Sequence, residues 1–386
     1  MIWKNFKKNK SLLGISTIGF GNIVGGVISS IFWLVLAGLM DTESYGQLSF
    51  LLALMGIFSV VSMIGGQYTM QVYTSKGIKV EAILYLLSII CSLFVSIILY
   101  FVFYDFGLSL LIIGVSVLNF YFAELMGKKL FSKYSMTLIL QKILFVSLSI
   151  FFFYTIGFEG ILIGYGLSHF IFIKHVYNIF KNEKFNVIFL KEKKKIILSN
   201  YLTQLTATSR NHIDEILTVP LFGLMFLGNY FLALQIIALM NIIPGIVVKY
   251  TIGEDSRGIS TLRIKIITIS ISFLLAFIGA LILPTILPIL LPQFTATVLL
   301  IPILCFAIVP RTIFTMIMSS FLAEEKNLHN VVGNVITIIL LIIGIFASFQ
   351  YNSEIGVAYT FLLGHSGGAA YLAIIYFLQK RNHTKL

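Results

Sequence analysis

Charged side chains are scarce in this chain of 386 residues: Asp, Glu, Lys and Arg together make up 11%, whereas 58% of the residues are hydrophobic. A soluble domain of that composition would expose more apolar surface than water tolerates. Apolar runs longer than about 18 residues recur along the chain, which is the length that a membrane-crossing helix needs. Short segments of alternating polarity, typical of membrane β-barrels, are missing. The sequence therefore predicts an all-α, polytopic membrane protein.

Cysteine and enzyme motifs are also scarce. The two cysteines, Cys91 and Cys305, both lie within apolar runs, so neither a disulfide framework nor a metal site is indicated. No HExxH, CxxC or P-loop motif occurs, and no GxGxxG motif has a strand-turn-helix context. The connections between apolar runs are too short for the loop chemistry of a membrane-embedded acyl or glycosyl transferase. We therefore predict that the protein is not an enzyme, holds no metal and uses no cofactor.

Twelve apolar runs are separated by charged or turn-rich breaks. They lie at about 13–40, 47–70, 82–104, 107–126, 136–156, 158–179, 196–219, 223–248, 264–287, 294–321, 329–349 and 355–379. Of the 27 Lys and Arg residues, 23 fall in segments that alternate to one side of the membrane, and the outer loops hold none. The positive-inside rule then places both termini in the cytoplasm and predicts a multi-pass protein of the cell (plasma or inner) membrane.

The net charge of +12 follows from this topology. It indicates attraction to anionic lipid headgroups, and it gives no reason to expect nucleic acid as a partner.

A basic segment halfway along the chain divides the sequence into two parts. Six lysines lie within 181–195, which predicts a cytoplasmic linker between two six-helix lobes, 1–180 and 196–386. Apolar residues among these lysines, Phe185 and those at 187–190, suggest a short helix lying on the inner leaflet. A plain solvated linker is an equally open alternative.

The two parts resemble each other. Gly160 precedes His169 by nine residues, and Gly356 precedes His365 by the same distance. Because matching spans run in the same direction, we predict a parallel internal repeat and two pseudo-symmetric lobes. The two histidines could relay protons, but a structural, hydrogen-bonded role is the favoured interpretation.

The most polar stretch inside an apolar run is 200–218. Wound as a helix, it places seven polar residues on a face about 120° wide, with Arg210 at the edge; they are Asn200, Thr203, Gln204, Asn211, Asp214, Glu215 and Thr218. A charge at the centre of a membrane helix costs roughly 2.5–3.5 kcal/mol, so such residues usually face a bundle interior and serve a function. The alternative is an interfacial loop at 209–215.

Several stretches carry a resemblance to a known family. They are GNIVGGVISSIFWLVLAGLMDTESYGQLSFLLAL with Tyr45 and Gly46, RNHIDEILTVPLFG with Asp214, LGNYFLALQIIALMNIIPGI with Pro244, LPILLPQFTATVLLIPIL, and FLAEEKNLHNVVGNVI. Over nearly its whole length the chain resembles the polysaccharide or O-antigen (Wzx-type) flippases. These belong to the multidrug/oligosaccharidyl-lipid/polysaccharide (MOP) exporter superfamily.

The resemblance implies a MATE-like fold of about 12 transmembrane helices. It implies a monomer that moves a polyprenyl-diphosphate-linked oligosaccharide from the cytoplasmic to the outer leaflet by alternating access, for cell-surface polysaccharide biosynthesis. Membrane lipids, and Na⁺ or H⁺ as a coupling ion, are its further expected partners. An ion-coupled small-molecule exporter of the multidrug branch remains the alternative. A transporter of the major facilitator type is disfavoured because its basic loop motif is missing from 71–81.

Roles for single residues follow from the chemistry of such a substrate. Arg210 and Arg311 lie at mid-depth in their spans, and the planar guanidinium suits a diphosphate. Alternatively, Arg210 pairs with Asp214 on the next turn, and Arg311 snorkels or bonds a backbone carbonyl. Three amides and one hydroxyl are expected to contact sugar hydroxyls, those of Asn200, Gln204, Asn211 and Thr203. Two carboxylates, Asp214 and Glu215, are candidates for carrying the coupling ion.

Overall fold

The computed structural model describes residues 10–64, 66–183, 185–255, 260–324 and 326–383. Apart from one 3₁₀ turn at Phe170–Phe172, its regular structure there is α-helical, which confirms the all-α prediction. The helices are α1 (Lys10–Leu39), α2 (Thr42–Ser62), α3 (Gln67–Ser75), α4 (Glu81–Phe103), α5 (Phe106–Gly127), α6 (Phe131–Ile156), α7 (Phe158–Leu167), α8 (Ile173–Asn182), α9 (Val187–Glu192), α10 (Lys194–Met240), α11 (Ile242–Asp255), α12 (Leu262–Leu290), α13 (Thr297–Phe306), α14 (Ile308–Ala323), α15 (Asn327–Gln350) and α16 (Glu354–His383).

Ten stretches in the described residues are long and apolar enough to cross a membrane as helices. Two more crossings are added by helix α10, which is one of the ten stretches but is long enough to cross twice, and by an interrupted stretch at 158–179. Helix α10 has 47 residues, about 70 Å if straight, which is more than twice the thickness of the hydrocarbon core. It is broken at Gly223, where φ is 83° and ψ is 172°, and so provides two spans. The predicted run 158–179 is divided between α7, the 3₁₀ turn and α8. Together these account for the twelve predicted runs.

The predicted run 47–70 is wrong at both ends. Helix α2 begins earlier, at Thr42, because Asp41 caps it: the Asp41 carboxylate accepts hydrogen bonds from the Ser44 N–H at 2.9 Å and the Ser44 O–H at 2.7 Å. These bonds hold the pKa of Asp41 below its usual value. The helix ends at Ser62, before Gly66 at φ 68°, and α3 begins a separate helix.

The chain forms two compact units, one made of 10–29 and 54–208 and the other of 30–53 and 209–383. The boundaries between them fall within α1, α2 and α10, whereas the predicted boundary lay at the basic segment 181–195. The prediction that both chain termini are cytoplasmic concerns residues 1–9 and 384–386, which lie outside the described residues.

The first unit packs α3, α4, α5, α7 and α8 around a large apolar core. Met70, Tyr85 and Phe120 are fully buried there. A cluster of ionised side chains lies against this core, at the ends of α4 and α5.

Glu124 is the centre of this ionic cluster. Its carboxylate accepts a hydrogen bond from Tyr85 Oη at 2.9 Å and from Lys128 Nζ at 2.7 Å, and it lies 2.9 Å from His175 Nε2. Lys128 also pairs with Glu81 at 2.9 Å. Burial lowers the pKa of Lys128, but the bonds to Glu124 and Glu81 outweigh it and raise the pKa above its usual value. The Glu124–Lys128 pair is therefore part of a larger ionic network.

The second unit packs α15 against α16, and α14 against both α11 and α16. Phe314, Phe321 and Leu372 are buried at its core.

Helix α2 approaches the second part of α10 very closely in this unit. A Cβ atom added to Gly46 would overlap the carbonyl oxygen of Leu224, and one added to Gly228 would overlap that of Thr42. The crossing therefore needs glycine on both helices.

We expect Gly46→Ala to destabilise the protein by about 2–3 kcal/mol or more, because the added methyl group meets backbone atoms that cannot rotate away. The measurement is the unfolding temperature of the purified protein in detergent. Gly245→Ala is the matched control, since a Cβ there meets nothing within 4 Å. Equal unfolding temperatures for the two variants would contradict the tight crossing.

Candidate functional site

The polar stretch 200–218 is helical throughout, as predicted, so the alternative of a loop at 209–215 is wrong. It forms the first part of α10. After the break at Gly223 the chain turns back, and Tyr230 Oη donates a hydrogen bond of 2.6 Å to Asp214 Oδ2. In a straight helix these two residues would be about 24 Å apart along the axis. Residues 209–240 of α10 therefore form a helical hairpin within the second unit.

Two adjacent carboxylates are buried on this hairpin. Asp214 is 1% exposed and Glu215 is 5% exposed. Glu215 Oε2 accepts a hydrogen bond from Ser49 Oγ at 2.8 Å, and Glu215 Oε1 lies 3.1 Å from His212 Nδ1. Carboxylates in such surroundings can exchange a proton or bind a cation, because their charge is only partly compensated by neutral donors.

The two mid-depth arginines lie against aromatic rings. The Arg210 guanidinium carbon is 4.3 Å from the centre of the Phe314 ring, and that of Arg311 is 5.6 Å from the centre of the Phe361 ring. Among the described residues, no carboxylate forms an ion pair with either arginine, so the alternative of an Arg210–Asp214 pair is wrong. Stacked guanidinium groups keep their N–H edges available for an oxyanion.

Several buried polar atoms in the second unit have no hydrogen-bond partner among the described residues. They are Arg210 Nε, Asp214 Oδ1, both amide atoms of Asn330, Asn334 Oδ1 and His365 Nε2. Buried polar groups normally find a protein, water or ligand partner. The interior of this unit is therefore suited to hold water or a polar ligand.

Asn330 and Asn334 were not singled out from the sequence. They are four residues apart on α15, with Gly333 between them against Phe314, the ring on which Arg210 lies. The periodicity that revealed the polar face of α10 would have found them, because two amides at this spacing share one face of an otherwise apolar helix.

Asn200 and Gln204 lie in the first unit. Asn200 Nδ2 donates to Thr69 Oγ1 at 3.2 Å, and Gln204 Oε1 accepts from the Gln67 N–H at 3.2 Å. Both amides therefore fix the start of α3. Asn211 is exposed. The polar face expected over 200–218 is thus divided, with only its later residues beside the carboxylates and arginines.

The histidines His169 and His365 have different surroundings. His169 Nδ1 lies 2.7 Å from the Tyr165 carbonyl oxygen, and its other ring nitrogen lies 3.4 Å from Gln141 Nε2. This matches the structural role expected for it. His365 instead packs edge-to-face on Phe361, with ring centres 4.5 Å apart, and so lies beside the ring that Arg311 contacts.

Tyr230 and Ser49 are the partners that sequence reasoning missed. Each bonds a carboxylate of the candidate site, Tyr230 from 16 residues further along the chain and Ser49 from 166 residues before it. No local pattern marks either residue, because the contacts arise from the hairpin and from the Gly46–Gly228 crossing.

No known protein family and no curated protein matches this sequence. The structure is similar to an inward-facing multidrug resistance MATE family transporter of the MOP superfamily, with TM-score 0.70 and 16% identity over 95% of this chain and 94% of that one. An outward-facing MATE transporter gives TM-score 0.68 and 15% identity over 96% of both chains.

A MOP superfamily transporter from Pyrococcus furiosus gives TM-score 0.61 and 13% identity over 96% of this chain and 95% of that one. Its binding pocket is described as having reversed polarity, which suggests a different function for that protein. These similarities confirm the fold: the chain has the architecture of MOP superfamily transporters.

Tyr230→Phe is expected to lower the free energy of unfolding by about 1–3 kcal/mol, because it leaves the buried Asp214 carboxylate without its hydroxyl donor. The unfolding temperature in detergent measures the effect. Tyr359→Phe is the control, since Tyr359 is 52% exposed on α16. If both variants unfold at the parental temperature, the Tyr230 hydroxyl does not support the buried carboxylate.

Proposed function

We propose that this protein is a flippase that moves a polyprenyl-diphosphate-linked oligosaccharide from the cytoplasmic to the outer leaflet of the cell membrane. Transport proceeds by alternating access and includes no covalent step. The product supplies cell-surface polysaccharide biosynthesis. The helical fold similar to MOP transporters supports the transport class, and the polar interior of the second unit supports the substrate.

The observation that carries the substrate proposal is the pair of arginines on aromatic rings. Arg210 is 9% exposed, and a buried guanidinium is usually neutralised by a carboxylate. Here Phe314 and Phe361 orient Arg210 and Arg311 instead, so both cations remain available to a ligand anion. A diphosphate offers oxygens in the spacing that a guanidinium binds with two N–H groups.

Asp214 and Glu215 are proposed to carry the coupling ion, Na⁺ or H⁺. Both are buried, and their partners in the described residues are the hydroxyls of Tyr230 and Ser49 and the ring of His212. Asp214 Oδ1 has no partner there. Binding a cation or proton at this pair would change the charge next to Arg210 and Arg311, and thereby their attraction for a diphosphate.

The proposed sugar contacts come from one exposed amide and from two amides that are already hydrogen-bonded within the protein. The exposed Asn211 is proposed to contact sugar hydroxyls directly. Asn200 and Gln204 would have to exchange their bonds to Thr69 and Gln67 for sugar hydroxyls. A role in transport for these two amides therefore implies that the start of α3 moves.

Export of small cationic molecules is the second candidate function. The same buried carboxylates favour it, since Asp214 and Glu215 could attract an organic cation that exchanges with the coupling ion. The arginines distinguish the two functions: the flippase needs Arg210 and Arg311 to bind the diphosphate, whereas a cation exporter needs only the carboxylates.

Arg210→Ala and Arg311→Ala should each slow flipping by about tenfold or more, because each removes a charge-assisted contact worth roughly 1.5–3 kcal/mol. Arg210→Lys should restore part of the rate, since it keeps the charge but loses the planar fork. The assay reconstitutes purified protein in liposomes. It follows a labelled polyprenyl-diphosphate glycan as it becomes accessible to a glycosidase outside the vesicle.

Arg263→Ala is the matched control, because Arg263 is exposed at the start of α12. Accumulation of a cationic dye in the same liposomes is measured in parallel. Normal flipping by correctly inserted Arg210→Ala and Arg311→Ala would overturn the diphosphate site. Dye transport that is lost in Asp214→Asn, with no glycan movement by the parent, would establish the exporter instead.

A further inference from the structure

The segment between α8 and α10 is folded against the first unit. Asn186 caps α9 by accepting a hydrogen bond of 3.1 Å from the Phe189 N–H. Phe189 is buried and packs edge-to-face on Tyr73, with ring centres 4.7 Å apart. Helix α9 is therefore held in place by Phe189 and Leu190, which pack against the core of the first unit, and the alternative of a plain solvated linker does not describe it.

The segment 185–195 also carries exposed apolar and basic side chains. Ile188 is 69% exposed and Phe185 is 47% exposed. Lys191 lies three residues after Ile188, on the same face of the helix, and both Lys191 and Lys195 are exposed. Glu192 is an exposed acidic residue in this stretch.

The segment 185–195 lies close to the membrane because it joins α8 to α10. Exposed apolar residues continue from it along α10 with Ile196 and Leu198, which are about half exposed. The distribution of Lys and Arg places this side of the protein at the cytoplasmic leaflet. Apolar side chains interleaved with lysines are typical of surfaces that insert between lipids while the ammonium groups remain at the phosphates.

We propose that the surface formed by Phe185, Ile188, Lys191 and Lys195 binds anionic phospholipid headgroups of the cytoplasmic leaflet. Ile188 and Phe185 enter the acyl region, and Lys191 and Lys195 contact the lipid phosphates. None of these four residues is among the proposed substrate or ion contacts. The site would fix the height of α9 relative to the bilayer, and so anchor the start of α10.

The test measures the unfolding temperature of the purified protein in a neutral detergent during titration with phosphatidylglycerol or phosphatidylcholine. A ligand that binds the folded state raises this temperature with concentration. We expect stabilisation by phosphatidylglycerol at lower concentration than by phosphatidylcholine, and none by inorganic phosphate, which cannot occupy the apolar part of the surface. The double variant Lys191→Gln/Lys195→Gln should require at least about tenfold more phosphatidylglycerol for the same rise in unfolding temperature.

Lys193→Gln is the matched control for the single variants Lys191→Gln and Lys195→Gln, because it removes one charge from a half-buried position in the same segment. It should retain the parental response, and Ile188→Ser should weaken the response to both lipids. The affected lysines are exposed, so the variants should unfold at the parental temperature without lipid. Equal stabilisation by the two lipids, or an equal loss in Lys193→Gln and the two single variants, would overturn the proposal.

Discussion

A carboxylate buried in an apolar helix bundle must receive hydrogen bonds from the protein itself, and much of the second unit is arranged around this need. Helix α10 carries Asp214 and also supplies its donor, Tyr230, from beyond the break at Gly223. The bond spans the hairpin and fixes the register of its two parts. Arg210, one turn before Asp214 on the same part of α10, lies over the Phe314 ring of α14.

The close crossing of Gly46 and Gly228 completes this arrangement. It brings α2 near enough for Ser49 to reach Glu215, so a contact between two backbones determines which hydroxyl supports a carboxylate. The first unit solves the same problem with opposite charges: Glu124 is buried among Lys128, His175 and Tyr85. The first unit therefore neutralises Glu124 with an ion pair, whereas Arg210 and Arg311 in the second unit have no carboxylate partner among the described residues. This difference is what assigns the candidate site to the second unit.

The sequence was sufficient to predict the helical membrane fold, because run length and hydropathy are local properties that the bilayer selects directly. It was also sufficient to predict that 200–218 is helical and polar on one face. It could not predict where helices break: Gly66 and Gly223 look like many other glycines, and only the packed structure shows their positive φ.

The sequence also could not show that the polar face of 200–218 is divided between two different environments. Asn200 and Asp214 share a helix face in projection, yet one meets Thr69 and the other meets Tyr230. A helical-wheel projection does not show which neighbouring helix contacts a residue at a given depth in the membrane. The same reason explains why an Arg210–Asp214 pair was a reasonable alternative from spacing alone: the competing ring, Phe314, comes from a helix about a hundred residues later.

The hairpin of α10 also bears on how the chain enters the bilayer during synthesis. Its first part carries Arg210, Asp214 and Glu215 and would partition poorly into lipid as an isolated segment. The part after Gly223 is strongly apolar and brings a donor for Asp214 with it. Insertion of both parts together would shield the charges before they meet hydrocarbon. The tight turn at Gly223, with no intervening loop, therefore favours integration of the two parts together.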